Sequence, residues 1–398
     1  MWMEPFDQAA SVLYVLGALI AGGFAVLIVL RLRDGQSDEA LKRNLEKYHD
    51  YFNYVSANAD GADALLPPSG SLTTDELKAI QSKLLEWIES IGGEHRSKLT
   101  ALCRDLGLVK LELERLRSPW HAVRIDAAYH LGVMRAEGAA AELIGMLEKE
   151  GPDPTAFVVG RAAAKCAATM DELRRIVSLL TLHHPEARQL IADIVASASL
   201  DPLPLYAELL TAESDETSLT VALTGLSSRN EPGMNRLAAP LLGSEWKEVR
   251  IKAAKLLLRY PQLLPPKQMS ELLHNPEWEI RAAAVKAAGD GRLVLYMNEL
   301  QLALSDEEWW VRHHGAQSLA LLGPEGFIAL CETACGSEND SSREAALHAV
   351  HEELDRAAAV ASQELKQLPY YSRLNEIYRN LFAGNPGDTR LNGARISS

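Results

Sequence analysis

Apolar residues fall into three patterns along this chain. From Ala9 to Leu30 they form a run of 22 residues without a charge, about 33 Å long as a helix against a hydrocarbon core of about 30 Å. Glu4 and Asp7 precede this run, and Arg31 and Arg33 follow it. It lacks the basic start of a cleaved signal and reads as a transmembrane helix, N-terminus outside and the remainder in the cytoplasm. Gly17 and Ala21 have the small-xxx-small spacing that packs on a partner's helix. From Ser37 to Val55 a second pattern places Leu41, Leu45, Tyr48, Phe52 and Val55 at alternating spacings of four and three. This predicts a short amphipathic helix, laid on a neighbouring surface or paired as a dimer seam. Ala57 to Ser71, with Gly61, Pro67, Pro68 and Gly70, then reads as a flexible linker.

The third pattern, from Thr74 to about residue 366, is helical and repeats. Glu277-Trp278-Glu279-Ile280-Arg281 returns 31 residues later as Glu308-Trp309-Trp310-Val311-Arg312, and 31 residues earlier stands Trp246-Lys247-Glu248-Val249-Arg250. Three places after successive arginines come Ala253, Ala284, Gly315 and Ala346, and seven places after them Leu257, Ala288, Leu319 and Val350. A small residue there lets one helix approach the next, and the apolar residue a turn later fills the space between them. In the same register lie anchors at Arg124, Arg161, Arg188, Leu219, Arg250, Arg281, Arg312 and Arg343. Their spacing is irregular between residues 150 and 218, around Gly151-Pro152-Asp153-Pro154.

This repeat resembles the HEAT repeat family, in particular the short bacterial repeats of the phycobilisome-lyase type, where an apolar-Arg pair opens the second helix of each pair. The resemblance covers roughly residues 75 to 365 and implies an all-α fold, a right-handed α-solenoid of HEAT-like helical pairs preceded by one transmembrane helix. It says little of function, since such solenoids host many.

The repeated side chains invite chemical readings. Trp120, Trp246, Trp278 and Trp309 stand three or four places before the arginine slot, with Trp310 adjoining; packing between repeats is their expected role. Neighbours on a helix cannot both face one core, which makes Trp309 and Trp310 candidate partner-binding residues. The arginines, one per repeat, are expected to form a structural ladder on carbonyls or on an acid of the preceding repeat. After Pro369, the stripe of Tyr371, Leu374, Tyr378 and Leu381 with Phe382 beside it predicts a helix that caps the solenoid or docks a partner through Tyr371, Tyr378 and Phe382.

Net charge is −14, which disfavours a DNA-binding role of the HEAT-like glycosylase kind. Cys103, Cys166, Cys331 and Cys335 show neither CxxC spacing nor disulfide density, as in a reduced compartment. HEAT-like deoxyhypusine hydroxylases hold two irons with several His-Glu pairs; this chain offers His351-Glu352, with His348 a turn earlier. Cys331 and Cys335, with His313 and His314 one helix away, would suit zinc only by coincidence of spacing. No glycine-framed serine, Cys-His motif or phosphate loop is present, and no catalytic, cofactor or metal residue is expected.

The expected division is residues 1–36 as membrane anchor, 37–56 as juxtamembrane helix and 57–73 as linker. Residues 74–367 form the solenoid, 368–383 a capping or docking helix and 384–398 a flexible tail. The expected function is that of a membrane-anchored, non-enzymatic scaffold on the cytoplasmic face, recruiting protein partners, as an accessory subunit of envelope machinery such as a transporter or polysaccharide glycosyltransferase. The alternative is a lyase-like or metal-dependent HEAT-repeat enzyme.

Overall fold

A computed structural model describes residues 38–61, 63–212 and 215–382. Among the described residues every regular element is a helix, so the chain is all-α. None of these helices is long and apolar enough to cross a membrane. That finding corrects the single-pass inner-membrane placement expected from the sequence. The run on which the placement rested, residues 9–30, and the tail 384–398 lie outside the described residues.

The chain divides into two compact units: residues 1–183 with 197–201, and residues 184–196 with 202–398. All three crossing points fall inside the stretch where the repeat spacing is irregular.

The first unit begins with helix α1 (38–47) and α2 (His49–Asn58). Phe52 and Val55 of α2 are buried. Phe52 meets the edge of Trp87 on α3 (Thr74–Ser90), with ring centroids 5.9 Å apart, and Lys47 pairs with Glu76. The amphipathic helix is thus laid on its own unit through the predicted seam. α3 starts at a capping box in which Thr73 and Glu76 satisfy each other's backbone N–H.

The expected flexible linker is tied down. Leu65 is buried, the Tyr51 hydroxyl donates to the Leu66 carbonyl (3.1 Å) and the Tyr54 hydroxyl accepts from the Leu66 N–H (3.2 Å). His95 and Lys98 donate to the carbonyls of Ala59 and Gly61. Pro and Gly marked the absence of a helix there correctly, but one apolar residue and two tyrosines suffice to fasten an irregular segment.

Further along lie α4 (Gly93–Asp105), α5 (Leu108–Arg115), α6 (His121–Val133), α7 (Ala140–Glu150), α8 (Ala156–Cys166) and α9 (Met170–His183). α5 packs on α6, α7 on α8, and α6 lies beside α8. The last contact is so close that a Cβ on Gly132 would stand 2.6 Å from the Ala162 Cα. Glu112 of α5 is fully buried and accepts from Gln81 (2.5 Å), Arg115 (2.9 Å) and His130 (3.1 Å). Burial pushes its carboxyl up, yet His130 and Gln81 hold it below the usual value.

The second unit contains α10 (Arg188–Ala196), α11 (Leu203–Thr211), α12 (Glu216–Ser227), α13 (Pro232–Asn235) and a 3-10 turn at Arg236–Gly243. Then follow α14 (Lys247–Leu257), α15 (Pro266–Leu273), α16 (Trp278–Asp290), α17 (Met297–Ala303), α18 (Trp309–Leu321), α19 (Pro324–Gly336), α20 (Asp340–Gln363) and α21 (Leu368–Phe382). α15 packs on α16, α17 on α18 and α19 on α20, while the later member of each pair lies beside the next: α14 on α16, α16 on α18, α18 on α20. The sequence dictates this pairing. Ala253, Ala284 and Ala346 are fully buried and so are Ala288, Leu319 and Val350, the positions three and seven places after the arginines. Prolines at the first turn of α15 and α19 fix their starts.

Two anchors, Arg161 and Arg188, differ from expectation: Arg188 is the first residue of α10, whose fourth, Ile191, is buried. Leu219 takes the arginine slot in α12 and is buried, as an apolar substitute should be. Arg161 is the sixth residue of α8, where the other ladder residues of α6, α14, α16, α18 and α20 are fourth. Ala168, seven places after Arg161, is exposed and beyond the helix end. The fourth residue of α8 is Val159, and it, Ala162 and Cys166 are buried, so Val159 holds the register that the arginine suggested.

Candidate functional site

Four of the arginines, Arg124, Arg250, Arg281 and Arg312, form a ladder with one shared geometry, while Arg343 reaches only one carbonyl, that of Ser337 (3.3 Å), and Arg188 that of Pro185 (3.1 Å). Nη1 of Arg250 donates to the carbonyls of Ser244 (2.7 Å) and Glu245 (2.9 Å). Arg281 does so to Asn275 (2.9 Å) and Pro276 (3.0 Å), and Arg312 to Asp306 (2.8 Å) and Glu307 (2.7 Å). Arg124 repeats the pattern on Ser118 and Pro119, both at 3.2 Å. The fourth residue of a helix points back over its own N-terminal turn, which is why this position reaches carbonyls five and six places earlier. The acid partner comes from the following repeat, not the preceding one as expected. Arg250 binds Glu277 through Nε at 2.8 Å, and Arg281 binds both oxygens of Asp306 at 2.7 and 2.8 Å. These guanidinium groups are occupied in closing turns, so the ladder is not a phosphate site.

Trp278 packs half-buried on the core of its unit, but Trp120 is not the buried inter-repeat wedge expected. Trp120 is 73% exposed, Trp309 54% and Trp310 50%, and Trp246 and Trp278 are half-buried. Trp120 and Trp246 are N-cap residues, and Trp278 and Trp309 open their helices; the Trp120 side chain at its helix entry projects outward rather than into the helix interface.

Trp309 and Trp310 lie edge to face, with centroids 4.7 Å apart and planes at 78°. They straddle the outer ridge of α18. Trp310 and His314 line one side of a groove of about 860 Å³ across α14, α16 and α18, with Trp278, Lys255, Arg259 and Lys286 among its other walls. Trp309 and His313 line a smaller groove of about 260 Å³ toward α20, where Glu344, His348 and Glu352 stand opposite.

The larger groove is locally cationic on an acidic protein. Lys255, Arg259 and Lys286 face Glu279 and Asp290. Glu279 is already paired with Lys247 at 2.7 Å, and its carboxyl is held low by that lysine against the effect of burial. Lys255 and Lys286 are exposed, and neither is held in a hydrogen bond or salt bridge with a described residue. Burial lowers the pKa of His314 below its usual value, and the charges of His313 and Lys286 add to the effect. The charged form of His314 is thereby disfavoured, and its ring lies beside that of Trp310.

The C-terminal residues are placed elsewhere. Tyr378 and Phe382 are buried against α19 and α20, with Leu374 and Ile377. Their rings stack, with centroids 4.6 Å apart, and Tyr371 packs half-buried at the edge. α21 thus closes its unit with the stripe that was also a docking candidate. The five candidate residues separate into an exposed pair, Trp309 and Trp310, and a set engaged in packing.

Cys103, Cys166 and Cys331 are buried and Cys335 is exposed. Burial pushes the first three thiols up to about 12, far from thiolate chemistry. His351 meets the Tyr378 hydroxyl at 3.4 Å, while His348 pairs with Glu352 at 3.8 Å. Among the described residues no three His, Cys, Asp or Glu side chains come together as a metal site requires.

Sequence reading missed Lys255 and Lys286. Their signal was present: both stand five places after a ladder arginine and 31 residues apart, on the surface opposite the buried positions. Compared with known proteins, the chain matches no family model, and no curated protein is significantly similar to it.

Proposed function

We propose that this chain is a non-enzymatic binding scaffold, a right-handed solenoid of HEAT-like helical pairs in which the outer surface of α14, α16, α18 and α20 receives a protein partner. The observation that supports this most is the Trp309-Trp310 doublet. Two large indoles are left half exposed side by side, each next to a groove. Exposed aromatic residues set in a concave, partly apolar surface are the usual anchors of protein recognition. The constant arginine register, shared from Arg250 to Arg343, supports the repeat reading, because the ladder gives the helical pairs of Arg250, Arg281 and Arg312 the same rigid entry turn. Burial of Cys103, Cys166 and Cys331, which keeps these thiols protonated, is consistent with a role without covalent chemistry.

A photoreactive benzophenone residue placed at Trp310 in cells tests this. One discrete crosslinked species is expected, absent when the same group replaces exposed Glu271 on α15. Equal, diffuse labelling from both positions, or none from either, would sink the reading.

A further inference from the structure

The chemistry of the larger groove specifies more than the presence of a partner. We propose that it takes an extended acidic segment of that partner, with carboxylates at every third residue leading to an apolar or aromatic side chain; this rests on the binding-scaffold reading above. Three observations lead to it. Lys255 on α14 and Lys286 on α16 occupy the same place in successive repeats, are exposed, and have no salt bridge with a described residue. On the next helix, α18, the groove is lined by Trp310 and by His314, whose charged form is disfavoured, instead of another lysine or arginine. Finally, the helices carrying these groups lie side by side in the order α14, α16, α18.

Packed helices are about 10 Å apart, and a polyproline-II chain advances about 3.1 Å per residue with about three residues per turn, which returns every third side chain to the same face. A segment crossing the three helices therefore advances three residues per helix. Its side chains at successive third positions meet Lys255, then Lys286, then the aromatic pair. Acid, acid, apolar is the complementary order, readable in either chain direction. A protein of net charge −14 repels acidic chains over most of its surface, so the few unpaired cations of this groove also set where such a segment lands. A nucleic acid fits less well: its unbroken phosphate charge needs a basic stripe, and here the cations stop at the indole.

Fluorescence anisotropy with the full chain tests the order of charges. The probes are labelled Glu-Pro-Ser-Glu-Pro-Ser-Phe, its reversed sequence, and both with Lys in place of Glu. One acidic probe is expected to bind, more weakly as salt rises, and about tenfold more weakly to the Lys255→Glu/Lys286→Glu protein. Both substitutions are at exposed sites, and circular dichroism checks that the variant is folded. Failure of both acidic probes, equal binding of the Lys probes, or insensitivity to the double reversal would overturn the proposal. A discrete crosslink from position 310 to a neutral or basic segment would overturn it too, while leaving the scaffold reading intact. Loss of that crosslink altogether would remove the scaffold reading instead.

Discussion

Trp309 and His313 stack one helical turn apart on α18, with ring centroids 4.8 Å apart and planes within 7° of parallel. Trp310 and His314, one residue along, make a looser pair at 6.1 Å and 33°. Each indole is thus backed by an imidazole on its own helix, which restricts its rotamers before any partner arrives. Restricting an anchor in advance lowers the entropy lost on binding. The exposed location means that little stability depends on it. Trp310→Ala is expected to weaken partner binding by at least about tenfold and to shift the melting temperature by no more than a surface change does, within about 0.5 kcal/mol. His313→Ala should weaken binding less and leave stability alone. Paired titration and thermal melts measure both, and a large loss of stability in Trp310→Ala would show that the indole serves packing.

Arg281 connects its own entry turn to Asp306 of the next repeat. Burial pushes the Asp306 carboxyl up, but the hydrogen bond from Arg281 and the Glu308 N–H (2.9 Å) hold it below the usual value. Arg281→Ala leaves a mostly buried carboxylate and two carbonyls without their donor, and should cost about 2–3 kcal/mol in denaturant unfolding. Arg281→Lys should recover little, because one ammonium cannot reproduce the fork. Full recovery by lysine would reduce the ladder to simple charge.

The Lys47–Glu76 pair predicts a pH response in the first unit. The hydrogen bond from Lys47, with the Thr73 N–H and hydroxyl, brings Glu76 down to about 2 from an ordinary 4.5. A carboxylate depressed in the fold stabilises it at all pH values above the ordinary one. The contribution is lost as pH falls from about 4.5 toward 2. Trp87 fluorescence reports the contact, since Phe52 packs on its edge. A transition in that interval is expected, and Glu76→Gln should abolish it while keeping the cap. An unchanged transition in that variant would assign it to another group.

Helix spacing offers a steric test. A Cβ on Gly289 of α16 would stand 2.6 Å from the Ser318 Cα and 2.4 Å from its Cβ on α18. Backbone cannot step aside as a side-chain tip can. Gly289→Ala is expected to cost about 1–3 kcal/mol despite raising helix propensity by about 1 kcal/mol. Gly138→Ala, with open space around its Cβ, is the control and should be near neutral. Similar unfolding midpoints for the two would disprove the close approach.

The irregular segment between α2 and α3 should resist protease although it has the composition of a linker. Leu65→Asp is expected to expose residues 59–73 to limited proteolysis while leaving the helical signal of the rest unchanged. Equal cleavage of both proteins would show that Leu65 is not what fastens it.

The repeat itself was legible in the sequence because one buried small residue, one buried apolar residue and one arginine recur at a constant interval, and each is required by a contact that recurs too. Val159 was hidden because an apolar residue in the arginine slot leaves no distinctive letter, and Arg161 two places later offered a false one. The exposure of Trp120 was not legible for a related reason: hydrophobicity says that a side chain favours burial, whereas its position at a helix entry decides whether it gets it. The lysines of the groove escaped notice because exposed charges are ordinary one at a time. Only their shared place in two neighbouring helices sets them apart, and that is a property of the packed structure. The single-pass membrane reading failed against the described helices because it was drawn from composition in a segment that lies outside them.

The entry turns of α6, α14, α16 and α18 are each closed by an arginine, the fourth residue of the helix that follows, so such a repeat brings its own closure with it. Removing or duplicating one whole repeat of this kind would leave no carbonyl stranded and would change just one arginine–acid pairing at the new junction. Selection could therefore lengthen or shorten the array in whole steps without redesigning its interior, and the groove beside Trp310 could gain or lose a recognition position each time.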